Sequence, residues 1–199
     1  MGLLLYDSPV SGNCYKVRLL FAHLGLKCER VELDVVDRSN RRQVLGDANP
    51  ALRVPTVILE DGRPLAESNA ILWYFGDGTP YVPADRYERA QVLQWQFFEQ
   101  YDHEPNIAVA RFWLTKGIAY DPAALQARQA AGTRALEAME RHLAKQPFLV
   151  GGRYSIADIS LYAYTHAARE GGFDLARYPA VEAWIARVAS QKGHVAMDA

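Results

Sequence analysis

Up to about residue 76 the apolar positions come in short runs with amphipathic stretches between them; beyond it they follow a helical period almost without interruption. Residues 3–6 form the compact apolar run of a buried strand, residues 13–24 an amphipathic helix and residues 28–33 a second strand, with Gly25 as the helix stop. Residues 38–45 predict a short helix. Pro55 precedes the β-branched run Thr56-Val57-Ile58, and proline is tolerated at the first residue of a strand or in a tight turn, where a cis bond is sometimes locked in. Asp61-Gly62 predicts a hairpin turn, the chain returns through Arg63 to Ala66, and a helix covers 67–75. This order predicts a mixed four-stranded sheet with helices on its faces. Punctuation residues crowd 76–83, from Gly76-Asp77-Gly78 to Pro80 and Pro83, and set the expected domains at 1–77 and 85–199.

The second half predicts an all-helical domain, with helices over 87–114, 122–143, 155–168 and 178–190 and no strand pattern. Pro105 should kink or break the first, because it lacks an N–H and its ring meets the preceding turn. Asp121-Pro122 is an N-cap followed by proline at the first helical position. Ser155-Ile156-Ala157-Asp158 is a capping box with the shorter acid, and Tyr154 is placed to pack on Ile159 as a staple.

Composition narrows the function more by exclusion than by assignment. A formal net charge of −1 over 199 residues offers no basic excess for nucleic acid or an anionic membrane. No apolar run approaches the roughly 18 to 20 residues of a membrane span, and no signal-type core follows a basic N-terminus, so a cytoplasmic location is expected. Cys14 and Cys28 make neither a disulfide framework nor a zinc site, and the five histidines lack ligand spacing. No metal is expected.

Candidate chemistry gathers around Pro55 and residue 67. Val54, just before the proline, would expose its N–H and C=O, and such an edge pairs with an extended peptide as one more strand. The unpaired amides at the start of the 67–75 helix, with Ser68, suit a carboxylate, while Glu67 suits an ammonium. A small peptide carrying an amino acid head satisfies all three groups. Capping and turn chemistry explain each group taken singly.

Ser11-Gly12-Asn13-Cys14 after the first strand, Val54-Pro55-Thr56, Glu67-Ser68-Asn69-Ala70-Ile71 and Ser155-Ile156-Ala157-Asp158 together make the chain resemble the cytosolic glutathione transferases, over nearly its whole length. The resemblance is to a bacterial member of the serine-type, theta- and delta-like branches. It implies a thioredoxin-like N-terminal domain, an all-helical C-terminal domain and a two-fold homodimer. It also implies glutathione as co-substrate with no further cofactor, and a small hydrophobic electrophile as acceptor. By the same resemblance Val54 pairs with the glutathione backbone at the cis-proline Pro55, Glu67 and Ser68 hold its γ-glutamyl end, and Ser11 donates to its sulfur, with Asn13 as an additional donor. Leu52 stands where some branches carry a basic or imidazole side chain for the glycyl carboxylate, and Arg53 is the candidate substitute or else a solvated edge charge.

Several alternatives stay open in the sequence. Ser11 suits helix capping as well as thiol activation. Tyr6 is a rival hydroxyl, although the family alignment sets the tyrosine-class position at Asp7 and strand alternation turns Tyr6 to the other face. Cys14 is either a small core residue or, if exposed, a route to glutathione mixed disulfides. Acceptor-pocket candidates are Tyr101, His103, Ile107, Arg111, Phe112, Trp113 and Tyr164; aromatics at helical spacing are equally core, and His103 between Asp102 and Glu104 reads as part of a solvated polar face. The expected activity is conjugation of glutathione, a detoxification chemistry. A glutathione-dependent disulfide oxidoreductase or peroxidase and a non-catalytic glutathione-binding protein are the alternatives.

Overall fold

A computed structural model describes residues 2–199 and divides by contacts into two units, one running to Asp77 and including Lys192–Ala199, the other Gly78–Gln191. The first unit is a thioredoxin-like domain. Its elements are β1 (Leu3–Asp7), α1 (Gly12–Leu24), β2 (Cys28–Glu32), α2 (Arg41–Leu45), β3 (Thr56–Ile58), β4 (Pro64–Ala66) and α3 (Ser68–Gly76). The sheet order is β2-β1-β3-β4, with β2 parallel to β1 and β3 antiparallel to both β1 and β4.

Strand alternation turns Leu3, Leu5 and Asp7 inward and leaves Leu4 and Tyr6 half-buried. Leu3 and Leu5 join Val17, Phe21, Val57, Leu59 and Ile71 in one apolar core between sheet and helices. Phe21 of α1 meets Phe75 of α3 edge-on at 4.8 Å, which fastens the two helices on which the site depends. Gly25 ends α1 in the left-handed conformation, and Leu26 N–H closes the turn on Phe21 C=O. Gly62 likewise takes a positive φ of 84° in the β3–β4 turn.

The second unit comprises α4 (Arg86–Phe98), a π-helical turn over Glu99–His103, α5 (Glu104–Thr115), α6 (Pro122–Leu143), α7 (Ile156–Thr165) and α8 (Pro179–Ala189). The expected single helix over 87–114 is therefore two. Pro105 falls in the first turn of α5, and the turn before it widens so that Glu104 N–H bonds Glu99 C=O. Every residue of α7 is buried. Its start is held by Asp158, which is inaccessible to solvent and accepts from Ser155 N–H at 3.0 Å, Leu149 N–H at 3.0 Å, Ser155 Oγ at 3.1 Å and Trp184 Nε1–H at 2.9 Å. The capping box thus also ties α7 to α8. Tyr154 packs its ring against Tyr81 and Phe148.

The segment Lys192–Ala199, which the sequence reading left in the helical domain, packs with the first unit instead. Its carbonyls supply acceptors to side chains of that unit: Tyr15 OH donates to Val195 C=O at 2.7 Å, Arg18 to Met197 C=O and Arg30 to Ala199 C=O.

Burial pushes the Asp158 carboxyl up to about 6 from 3.8, against the four donors that pull it down. A carboxyl raised in the native state binds more protons there than when unfolded, so its contribution to stability is full below about 3.8 and lost as pH rises through about 6. Urea unfolding followed against pH should therefore show wild type losing on the order of 3 kcal/mol across that window relative to Asp158→Asn, at about 1.36 kcal/mol per unit. Asp158→Ala, which strips several buried donors of their acceptor, should cost about 3 kcal/mol or more at any pH.

Candidate active site

Three loops converge at one end of the sheet. The pairs Tyr6↔Thr56 and Thr56↔Ala66 fix the register there, and continuing it by two residues sets Val54 opposite Ser8 on the β1 side and Ser68 on the β4 side. Both α1 and α3 begin at this end, so the N–H groups of their first turns face the same region. No acidic side chain lies in the first turn of α1, so its positive end is not neutralised from within that turn.

Ser11 is the N-cap of α1 and accepts from Cys14 N–H at 3.3 Å. The cap uses a lone pair of Oγ, and the hydroxyl keeps its own proton for donation. Capping and donation are therefore compatible roles for one side chain. Asn13 in the first turn points Oδ1 at Lys16 Nζ, 2.8 Å away, and Ser68 Oγ lies 3.4 Å from both Oδ1 and Nζ. Tyr6 is half-buried, and Asp7 is fully buried between Arg18 and Arg30, at 2.6 and 2.8 Å.

Val54 joins Pro55 through a cis peptide bond, and among the described residues no main-chain hydrogen bond reaches Val54. The loop before it is held from beneath. Asn49 is buried; its Nδ2 donates to Arg53 C=O and Thr56 Oγ1, each at 2.9 Å, and its Oδ1 accepts from Ala51 N–H. Arg41, also buried, donates to Leu52 C=O and to Asp34 C=O. Leu52 and Glu67 are the positive-φ residues other than glycine among those described, at 53° and 69°, and they flank Val54 and Ser68. Such conformations are costly for side chains with a Cβ and cluster where geometry serves function. Arg53 and Glu67 present exposed side chains at this end, and Ser68 is buried beside them.

Of the acceptor candidates, Ile107 and His103 are fully buried in the helical unit, which for His103 corrects the solvated reading. His103 Nε2 lies 2.8 Å from Thr165 Oγ1; that hydroxyl spends its proton on Leu161 C=O, so the ring nitrogen donates. Tyr164 is buried, Trp113 stacks on Tyr120, Phe112 is half-buried, and Arg111 pairs with Glu170 at 2.7 Å. Tyr101 is 83% exposed.

Sequence reasoning assigned no role to Asn49, Arg41, Arg18 or Lys16, which position the loops. A buried asparagine three residues before a left-handed turn leaves no pattern in a single sequence, and basic residues on an amphipathic helix read as its solvent face. Among the described residues no group of three or more His, Cys, Asp or Glu is placed to hold a metal ion, and no helix is long and apolar enough to cross a membrane.

Profiles described as "Glutathione S-transferase, N-terminal domain" and "Glutathione S-transferase, C-terminal domain" match residues 5–80 and 122–187. Among solved structures, a glutathione S-transferase from Pseudomonas fluorescens is similar with a TM-score of 0.95 and 47% identity, covering 99% of each chain. A "Probable glutathione S-transferase GSTU1" from Oryza sativa subsp. japonica is 31% identical, covering 93% of this chain and 84% of the relative. The "Disulfide-bond oxidoreductase YfcG" of Escherichia coli is 28% identical, over 94% and 90%.

Burial pushes the Cys14 thiol up to about 12, reinforced by the Asp7 charge and opposed by hydrogen bonding to Ser11. A thiol reagent added to native protein at pH 8 is expected to modify Cys14 no faster than the protein unfolds, with any prompt labelling confined to the half-buried Cys28. Peptide mapping after labelling, native against urea-unfolded, reads this directly. Prompt modification of Cys14 in the native protein would restore it as a reactive thiol.

Proposed function

The chain belongs to the glutathione S-transferase family, and on that premise we propose that it binds reduced glutathione along the Val54 edge and transfers its thiolate to small hydrophobic electrophiles. The observation that carries this reading is the meeting of the Val54 main chain, which no described main-chain hydrogen bond reaches, with the starts of α1 and α3 at one end of a single sheet. Val54 pairs with the peptide backbone before the turn at Pro55, Glu67 and Ser68 receive the ammonium and carboxylate of the γ-glutamyl end, and Arg53 serves the glycyl carboxylate. The sulfur then lies toward Ser11 and Asn13 at the start of α1.

There the thiol loses its proton to solvent, the sulfur forms a bond to carbon, and the leaving group departs with the electron pair. A hydrogen bond to a charged acceptor contributes roughly 1.5 to 3 kcal/mol and the helix dipole roughly 0.3 to 1, enough to lower a thiol pKa from about 8.5 by about two units. The associated loss of intrinsic nucleophilicity, with a Brønsted slope of about 0.4 to 0.5, offsets most of the gain in thiolate. Holding the electrophile against the sulfur must therefore supply most of the acceleration.

An apolar stripe on the α4 side of the helical unit supports the homodimer that the family implies. Tyr87, Leu93, Phe97 and Tyr101 are all exposed there, and Tyr101 fits this stripe better than an acceptor pocket. A cytoplasmic location and detoxification remain parts of the same proposal. A disulfide-exchange activity is the second reading, favoured by the likeness to YfcG; with Cys14 buried, it would run between glutathione sulfurs and not through a protein thiol.

Titration of thiolate absorbance in the glutathione complex tests activation apart from binding. Wild type should titrate about two pH units below free glutathione, and Ser11→Ala should return about one of those units while lowering turnover with an aryl halide about threefold at about pH 6, where the thiolate fraction limits the rate. Glutathione affinity should change little. Unchanged turnover in Ser11→Ala removes Ser11 from the mechanism, and binding without a shifted thiol or any turnover favours a non-catalytic glutathione-binding protein.

A further inference from the structure

Arg41 opens the short helix α2, and its side chain is only 3% exposed. That is uncommon for a group that stays charged at any ordinary pH. Its guanidinium bridges two loops. Nη2 donates to Asp34 C=O at 2.6 Å, in the stretch between β2 and α2, and Nη1 to Leu52 C=O at 3.2 Å, in the loop before β3. Among the described residues no carboxylate forms an ion pair with Arg41, and its Nε–H has no acceptor. A buried charge is costly unless a counter-charge meets it, so stability alone does not account for this side chain. What it supplies is a rigid two-pronged link between carbonyls of separate segments.

Leu52 is the residue on which that link acts. It takes a φ of 53°, in the left-handed region, where a Cβ crowds the following carbonyl. Both of its peptide groups are held: its N–H donates to Asn49 C=O at 2.9 Å, and its C=O accepts from Arg41. Asn49 secures the residues on either side through Ala51 N–H and Arg53 C=O, but it belongs to the same loop. Arg41 is the anchor from another element. Two residues beyond Leu52 stands Val54, so the direction of its main chain is set by the turn that Arg41 holds.

Resting on the glutathione reading above, we propose that Arg41 is a positioning residue for the edge that pairs with the tripeptide backbone. By holding Leu52 C=O it keeps the left-handed turn against the preference of Leu52 itself, and so aims the Val54 main chain at the ligand. Arg41 does not touch glutathione. It serves the ligand's backbone and not its sulfur, so it sets affinity, while thiol activation stays with Ser11 at the start of α1.

The test is a cycle of Arg41→Lys, Leu52→Gly and the double variant, with glutathione affinity read by calorimetry and the bound thiol by thiolate absorbance. Arg41→Lys keeps the positive charge, but its single nitrogen cannot replace the fork. It should weaken glutathione binding about tenfold and leave the pKa of the bound thiol where it is in wild type. Leu52→Gly removes the Cβ that opposes the turn and should bind within about threefold of wild type. Adding Arg41→Lys to Leu52→Gly should then cost only about twofold, because the turn no longer has to be enforced.

A side chain that merely stabilised the fold would not show this rescue. If Arg41→Lys alone does not fold, the double variant should still fold and bind, and its failure to do so overturns the assignment. A folded Arg41→Lys with wild-type affinity, a loss of equal size in both backgrounds, or a thiol pKa that shifts along with affinity also overturns it. Wild-type protein that binds no glutathione overturns the functional reading first, and is distinguishable because no variant is then needed to see it.

Discussion

A carboxylate without access to water holds the β1–α1 junction in place. Asp7 ends the inward face of β1, where Leu3 and Leu5 would predict another hydrophobe, and it accepts from Arg18 on α1 and Arg30 on β2. Burying these charges costs several kcal/mol, recovered only while the geometry is good and all partners are present. What the arrangement secures is position. Arg18 also donates to Ser8 C=O and Pro9 C=O, each at 3.2 Å, and to Met197 C=O. The loop that delivers Ser11 to the start of α1 is therefore suspended by its own carbonyls from a guanidinium that Asp7 keeps in register. Without Asp7, two cations would face one another across β1 with no counter-charge, and the loop would lose its support along with the strand.

The helical unit uses a buried carboxylate for a related purpose. Asp158 gathers donors from the turn before α7, from the capping serine and from Trp184 on α8, so one side chain sets both where the helix begins and what it packs against. In both units an acid at an element boundary converts a chain direction into a fixed angle. Apolar packing alone does this poorly, because it is not directional.

What the sequence made legible follows from which constraints are local. Gly25, Asp121-Pro122 and the Ser155-Asp158 box act within one helical turn, and each does what its residue type requires. Pro105 announces a break because its missing N–H is a local fact, but the widened turn from Glu99 to His103 is a response of the neighbouring chain and has no residue code. His103 was misleading for a similar reason. Its neighbours Asp102 and Glu104 are polar, yet residues adjacent in sequence point to different faces of a helix; His103 shares the buried face with Ile107 and Ala110. The positive φ angles of Leu52 and Glu67 are imposed by Asn49, Arg41 and the register of β3 with β4, and leave no trace in the side chains that adopt them.

The first turn of α1 also bears on which chemistries the fold can separate. Cys14 and Ser11 are joined by a hydrogen bond to one backbone amide, but the thiol is buried and the hydroxyl is half-exposed. A thiol with a pKa of about 12 is ionised at pH 7 in only about one molecule in 10⁵, so it contributes almost no nucleophile. Sulfur chemistry at this site then depends on the sulfur that a ligand brings. Under the proposed function, conjugation and disulfide exchange share the same first requirement, a glutathione thiolate held at Ser11, and diverge only in whether the atom attacked is carbon or sulfur. The choice between them lies in what the site admits beside that thiolate, and not in a second nucleophile of the protein's own.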